Sequence, residues 1–311
     1  MLILGRKYKF TQLELDRLNK KFNNITTIKY TNRPEADVLK DIENSAAQND
    51  FDILVLNTKA KVGDKIIKYL TNLQFEKRKK KIRIISIENF MEEFLHKCYI
   101  PDDHTDLDFL EDIKTFNPLE YGLKRTIDYI GVFTLLFLTW PVMIYARLRI
   151  KKESPGTSMF KQLRVGQNNE EFTCVKFRSM YLDAEVNGAQ FASKNDPRVF
   201  QWGDTMRKTR IDELPQMLNV LRGDMHFIGP RPERKVWTDK FELQIPYYAE
   251  RHLVKPGITG WAQVMYPYGA NAEDAKQKLM YDLYYIKHWS IILELKVIWK
   301  TILVVVGKKG V

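Results

Sequence analysis

From Tyr129 to Ala146 the chain reads YIGVFTLLFLTWPVMIYA, eighteen residues without a charge. Lys124 and Arg125 precede it, and Arg147, Arg149, Lys151 and Lys152 follow it. At about 1.5 Å per residue, a helix of that length reaches roughly 27 Å, barely a hydrocarbon core. A buried helix of a globular domain is one reading, and a membrane element is the one favoured. Two features argue against a simple span. Pro141 removes a backbone donor and crowds the preceding turn. Both flanks are basic, whereas a spanning helix keeps its lysine and arginine excess on one side. A helix that enters, kinks near Trp140-Pro141 and returns to the same face satisfies both, with Thr139 as a donor for freed carbonyls. On these physical grounds re-entrant and spanning readings stand about level.

Outward from this stretch, residues 1–100 alternate strand and helix patterns. Strands are expected at Leu2–Leu4, Thr26–Tyr30, Phe51–Leu56 and Ile82–Ile87, and helices over Phe10–Phe22, Glu35–Glu43 and Asp64–Leu73. A basic run, Lys77–Lys81, precedes the last strand. Such alternation implies a parallel sheet, hence an α/β, Rossmann-like domain. Gly5 stands without the further glycines of a dinucleotide fingerprint, so a scaffolding or regulatory role is expected. Residues 101–120 are acidic and polar and read as a linker. Residues 121–152 hold the apolar helix with its basic flanks, and residues 153–311 form the remaining domain. Near its end, Trp289–Val306 is apolar but interrupted by Glu294, Lys296 and Lys300. That pattern fits either an interfacial helix, with Tyr281, Tyr284, Tyr285, Trp289 and Trp299 at headgroup depth, or a core helix.

The 311 residues contain 50 Lys and Arg against 39 Asp and Glu, a formal net charge of +11. This surplus points to nucleic acid, anionic lipid or a phosphate-rich substrate. Cys98 and Cys174 have no neighbours at metal-ligand spacing and suggest no disulfide framework. Met1–Leu4 followed by polar Gly5–Lys9 lacks the apolar core of a secretory signal, so the amino terminus is expected to stay inside the cell.

The chemistry-bearing motifs lie between the two apolar elements. In Ile211-Asp212-Glu213-Leu214-Pro215-Gln216, Asp212 is placed to cap a helix that stops before Gly223. Adjacent carboxylates can divide a phosphoryl reaction, one attacking phosphorus and the other holding a metal or moving a proton. The plain alternative is a cap followed by a dipole-complementing glutamate. Gly229-Pro230-Arg231-Pro232 fixes an arginine suited to bidentate phosphate contact. Lys255–Trp261 is a second rigid, glycine-rich turn, and Lys161 with Arg164 and Lys176 with Arg178 add basic clusters. His226 is expected at the surface or behind the site rather than as ligand or base.

The segments KRTIDYIG, SPGTSMFKQLRVG, KFRSMYLDAE, DPRVFQWGDTMRKTRIDELPQMLNVLRGDMHFIGPRPE, KPGITGWAQV and YDLYYIKHWS follow in order from Lys124. Together they resemble the bacterial sugar transferase family, the monotopic phosphoglycosyl transferases. The resemblance covers about three-fifths of the chain. It implies a re-entrant membrane helix with both ends in the cytoplasm, at the bacterial inner membrane, leading into a mainly helical α+β catalytic domain. It implies that Asp212 attacks the β-phosphate of a UDP-sugar, releasing UMP, and that undecaprenyl phosphate then takes the phosphosugar. Glu213 would assist, with Mg2+ shared between Asp212 and Glu213. Lys176, Arg178, Arg231, Lys161 and Arg164 are the expected substrate contacts, and membrane lipid and a homodimer the further partners. The chain departs from the common family pattern at Trp140, Thr157 and His226. The first hundred residues resemble the soluble domain of larger relatives, and the helical membrane bundle that often precedes it there is expected to be missing. The competing readings are a catalytically inactive membrane-surface scaffold and a nucleic-acid binder, and no recognisable nucleic-acid-binding motif supports the latter.

Overall fold

The computed structural model describes residues 1–48, 51–75, 82–102, 113–186, 188, 190, 196–267, 269 and 271–307. The basic run 77–81 and half of the acidic connection 101–120, residues 103–112, lie outside them. The chain divides into two compact units, Met1–Tyr99 and Ile100–Val311.

In the first unit, β1 (Leu2–Leu4), β2 (Thr26–Ile28), β3 (Ile53–Leu56) and β4 (Arg83–Ser86) form one sheet in the order β2-β1-β3-β4. Every pairing is parallel, as the alternation of strands and helices requires. Helices α1 (Gln12–Asn19), α2 (Glu35–Ala47) and α3 (Asp64–Phe75) make the crossovers, and α4 (Ile87–Phe90) runs on into a π-helical turn, Met91–Leu95. Helix α1 starts two residues later than the apolar spacing suggested because Thr11 and Glu14 close a capping box there. Val38 and Ile42 of α2, and Ile66 and Leu70 of α3, recur at helical spacing and pack on Leu2, Leu4 and Leu54 of the sheet. Gly5, at φ +95°, leaves β1 where a Cβ would lie 2.5 Å from the Asn57 carbonyl oxygen, so only glycine fits.

The second unit begins with α5 (Pro118–Glu153), 36 residues long, opened by an Asn117–Glu120 capping box with proline in its first turn. Pro141 lies inside the unbroken helix. Thr139 Oγ1 donates to the Leu135 carbonyl at 2.7 Å, one turn back. The carbonyl that Pro141 deprives of a donor is that of Phe137, so Thr139 does not serve the role expected of it. Lys124, Asp128, Val132, Ala146 and Ile150 are fully buried, whereas Phe133, Phe137, Leu138, Trp140 and Ile144 are largely exposed. Val132 packs with Met217, Val220 and Met225, and Ala146 and Ile150 pack with Phe177, Phe200 and Met206.

Strands β5 (Met159–Val165) and β6 (Glu171–Phe177) form an antiparallel ribbon. Helix α6 (Gln201–Thr209) leads into a 3-10 turn, Ile211–Gln216, and then α7 (Met217–Arg222). Gly223, at φ +90°, ends α7 where expected. Asp212 is not an N-cap: Arg210 occupies that position in a left-handed conformation, and no side chain caps the turn. Strand β7 (His226–Ile228) pairs in parallel with β8 (Gly257–Thr259), with α8 (Lys235–Glu242) between them. Helices α9 (Trp261–Met265), α10 (Ala272–Lys287) and α11 (Ile291–Val306) complete the unit. Helix α11 has two apolar faces. Leu293 and Val297 are buried with Glu294, while Ile292, Leu295, Trp299, Leu303 and Val306 are exposed on the other side. Tyr281 and Tyr285 are core residues rather than headgroup anchors, and Trp289 turns its indole inward to Glu294.

Candidate active site

The β5–β6 ribbon forms one wall of the site. In its register Gln162 faces Cys174 and Phe160 faces Lys176, so even-numbered residues of both strands share a face. Arg164 and Lys176 therefore point to one side. Lys161, opposite Val175, points to the other and is exposed, so it does not join them. Asn219 of α7, fully buried, accepts from the Val175 amide at 3.0 Å and donates to the Thr173 carbonyl at 2.7 Å. This amide stitches the helix that follows the acidic turn onto β6. A buried Asn in the apolar run LPQMLNVL was its only sequence signal.

The left-handed Arg210 (φ 60°) turns the chain sharply out of α6, and Asp212 and Glu213 fall in a buried 3-10 turn. Glu213 Oε1 accepts from Arg231 at 2.8 Å and from Lys176 at 3.2 Å, with Arg210 at 3.5 Å. Burial alone would raise the Glu213 carboxyl. Arg231, Lys176 and Arg210 together outweigh it and hold the group well below the usual carboxylate range. Asp212 is different. Burial, reinforced by the Glu213 charge, pushes it up to about 6. Its Oδ1 is buried with no hydrogen-bond partner among the described residues.

The other expected contacts are held elsewhere. Arg178 is buried and spends its guanidinium on the 154–157 loop, donating to Ser154 Oγ at 2.6 Å, to the Thr157 carbonyl at 2.7 Å and to the Ser154 carbonyl. It shapes that loop rather than facing the acidic pair. Arg164 donates to Gln162 at 2.6 Å and to the Pro232 carbonyl at 3.3 Å, bracing the turn that carries Arg231. Arg251, to which the sequence reading gave no role, donates to the Arg231 carbonyl at 2.9 Å and to Asp282 at 2.8 Å. His226 is buried, not at the surface, with Nδ1 2.6 Å from Asp128 Oδ2. Burial drives its imidazole down to about 4, so at neutral pH it is uncharged and Nδ1–H donates to the carboxylate.

Among the described residues no group of three His, Cys, Asp or Glu side chains forms a metal cluster. Mg2+ needs less, because it commonly takes one or two carboxylates together with substrate phosphate oxygens. The unpartnered Asp212 Oδ1 fits that requirement, whereas Glu213 is already engaged by cations.

The profile of the family described as "Bacterial sugar transferase" matches residues 119–308. Over 186 residues the chain is 47% identical to a UDP-N-acetylgalactosamine-undecaprenyl-phosphate N-acetylgalactosaminephosphotransferase of Aeromonas hydrophila, covering 60% of this chain and 44% of that protein. Over 189 residues it is 42% identical to a UDP-glucose:undecaprenyl-phosphate glucose-1-phosphate transferase of Xanthomonas campestris pv. campestris, covering 60% and 39%. A Rhizobium leguminosarum bv. phaseoli protein named exopolysaccharide production protein PSS is 37% identical over 190 residues, 59% of this chain and 95% of that one. The match thus spans less than half of the first two relatives.

Proposed function

The chain belongs to the bacterial sugar transferase family, and from that premise we propose that it moves a sugar 1-phosphate from a UDP-sugar to undecaprenyl phosphate. The observation that carries this reading is the asymmetric acidic pair: Asp212 buried with an unpartnered oxygen, beside a Glu213 compensated by Lys176, Arg210 and Arg231. Asp212, once ionised, attacks the β-phosphorus of the donor. An aspartyl–phosphosugar bond forms, the pyrophosphate P–O bond breaks, and UMP leaves with the electron pair. An oxygen of undecaprenyl phosphate then attacks the same phosphorus and releases the Asp212 carboxylate. Lys176, Arg210 and Arg231 supply the positive field in which phosphate charge is stabilised, and Glu213 holds them together before the donor enters. Mg2+, held by Asp212 with donor phosphate oxygens, would offset pyrophosphate charge and polarise the bond that breaks.

The same reading places the chain at the cytoplasmic face of a bacterial inner membrane, with α5 re-entrant. What supports this is the anchoring of α5 at both ends. Lys124, Asp128 and Val132 at one end, and Ala146 and Ile150 at the other, are buried in the same unit. The exposed apolar stretch between them, residues 133–145, would reach only about 20 Å as a helix. Both ends packed into one unit favour a stretch that enters and leaves by one face. The outward apolar face of α11, flanked by Lys296 and Lys300, suits the same interface. We read the first unit as a Rossmann-like accessory domain, and a homodimer remains part of the proposal.

The test is UMP release from a panel including UDP-N-acetylgalactosamine and UDP-glucose, with undecaprenyl phosphate and Mg2+. Release with one donor, lost at least about 1,000-fold in Asp212→Asn, is expected of a missing nucleophile. Near-normal turnover in that variant would rule out the covalent route.

A further inference from the structure

Asp128 lies on α5, outside the acidic pair, yet it is fully buried and both its oxygens are bonded. Oδ1 accepts from the Phe227 amide at 2.7 Å, and Oδ2 accepts from His226 Nδ1 at 2.6 Å and from Arg125 at 3.2 Å. Lys124 stands 3.6 Å away. His226 and Phe227 begin β7, so this one carboxylate grips the strand by a side chain and a main-chain group together. A buried ion pair is weak grounds for stability, because apolar residues of similar volume serve as well. Its directional bonds fix position.

What β7 carries is Arg231. The strand passes from His226 through Ile228 and Gly229 to Pro230-Arg231-Pro232, and little slack lies between. The Tyr285 hydroxyl oxygen packs 3.1 Å from the Ile228 carbonyl oxygen while its proton goes to Glu294. The Gly229 amide donates to Thr259 at 2.9 Å, and the Gly257 amide to the Pro230 carbonyl at 2.9 Å. A Cβ on Gly229 would lie 2.6 Å from the Lys255 carbonyl oxygen, so the two turns touch through backbone. The prolines on either side of Arg231 fix their own φ angles. A shift of His226 therefore passes along the strand to the guanidinium on Glu213.

We propose that Asp128 is a positioning residue for the transfer reaction: by clasping β7 it holds Arg231 in register with Glu213 and ties the seating of α5 to the active site. This rests on the role given to Arg231 above. A misplacement near 1 Å can cost about 100-fold in rate, so loss of the clasp is expected to be visible in turnover.

The experiment is a double-mutant cycle on UMP release by the full chain in nanodiscs, pairing Asp128→Ala with Arg231→Lys. Asp128→Ala alone should lower kcat/KM by roughly 10–100-fold, yet by less than about 3-fold once Arg231 is already Lys, because residues acting through one another are not additive. Asp128→Asn can accept from the Phe227 amide and donate to the other His226 tautomer, so it should recover most of the activity. If Asp128→Ala does not fold, the cycle is run with Asp128→Asn, whose smaller loss should likewise shrink in the Arg231→Lys background. Equal losses in both backgrounds overturn the proposal and leave Asp128 a purely structural residue. Full activity in Arg231→Lys instead overturns the reading of the site, and the clasp's route through Arg231 falls with it.

Discussion

Asp212 and Glu213 are neighbours in sequence, but their surroundings treat them oppositely. Burial pushes Asp212 up to about 6, so the folded state favours its protonated form. Its contribution is present below the ordinary carboxylate value and is lost as pH rises through about 6, leaving a penalty of roughly 3 kcal/mol at neutral pH. Asp212→Asn is therefore expected to raise the thermal midpoint at pH 7.5, with the gain vanishing near pH 4. No gain at pH 7.5 would mean that the charge is not desolvated. The same ionisation predicts that kcat/KM for UMP release falls on the acid side as Asp212 takes up its proton, and a profile flat into the acid range would contradict Asp212 as the attacking group. The sequence displayed the pair, Lys176 and Arg231, but gave Arg210 no role. It did not show which carboxylate the cations would choose, because Lys176, Arg210 and Arg231 come from a strand, a turn and a proline-fixed loop. Nor could it show that Arg178 is spent on the 154–157 loop.

At the scale of elements, α5 and α11 meet through buried charge. Glu294 looked from the sequence like one of the interruptions in an apolar run. It is fully buried, and it accepts from Lys124 at 2.9 Å, from Trp289 Nε1 at 2.9 Å and from the Tyr285 hydroxyl. Removing Glu294 leaves Lys124 desolvated, with Asp128 at 3.6 Å as its remaining counter-charge, and leaves the Trp289 donor without an acceptor. Glu294→Ala should accordingly cost about 2–4 kcal/mol in denaturant unfolding, and a loss below about 1 kcal/mol would show that Asp128 or water takes over the Lys124 charge. The entry and exit of α5 can be checked with impermeant labels on single cysteines placed before Lys124 and after Lys152. Both should react from the cytoplasmic side, and reaction from opposite sides would make α5 a span. Composition marked both helices as apolar. Which face of each turns inward depends on a partner 170 residues away in the chain, and no local pattern encodes that.

At the scale of the whole molecule, the residues named in the acidic site all lie in the unit Ile100–Val311, and the family match begins at residue 119. Gly5→Val, which forces a side chain against Asn57 at a positive φ, should unfold the first unit selectively in hydrogen exchange. UMP release is then expected to stay within about threefold, as for independent sites, and a larger loss would show that the first unit supports catalysis. The sequence by itself determined the parallel α/β sheet of the first unit, the apolar helix and the helix stop at Gly223. Each is written in local periodicity, charge-free length or turn chemistry, which the chain carries wherever it folds. Only the tertiary structure decided that Lys161 faces away from Lys176, that Asp128 grips β7, and that Glu213 rather than Asp212 takes the cations. Those outcomes depend on strand register and on contacts between distant segments, where electrostatics and burial act through space rather than along the chain.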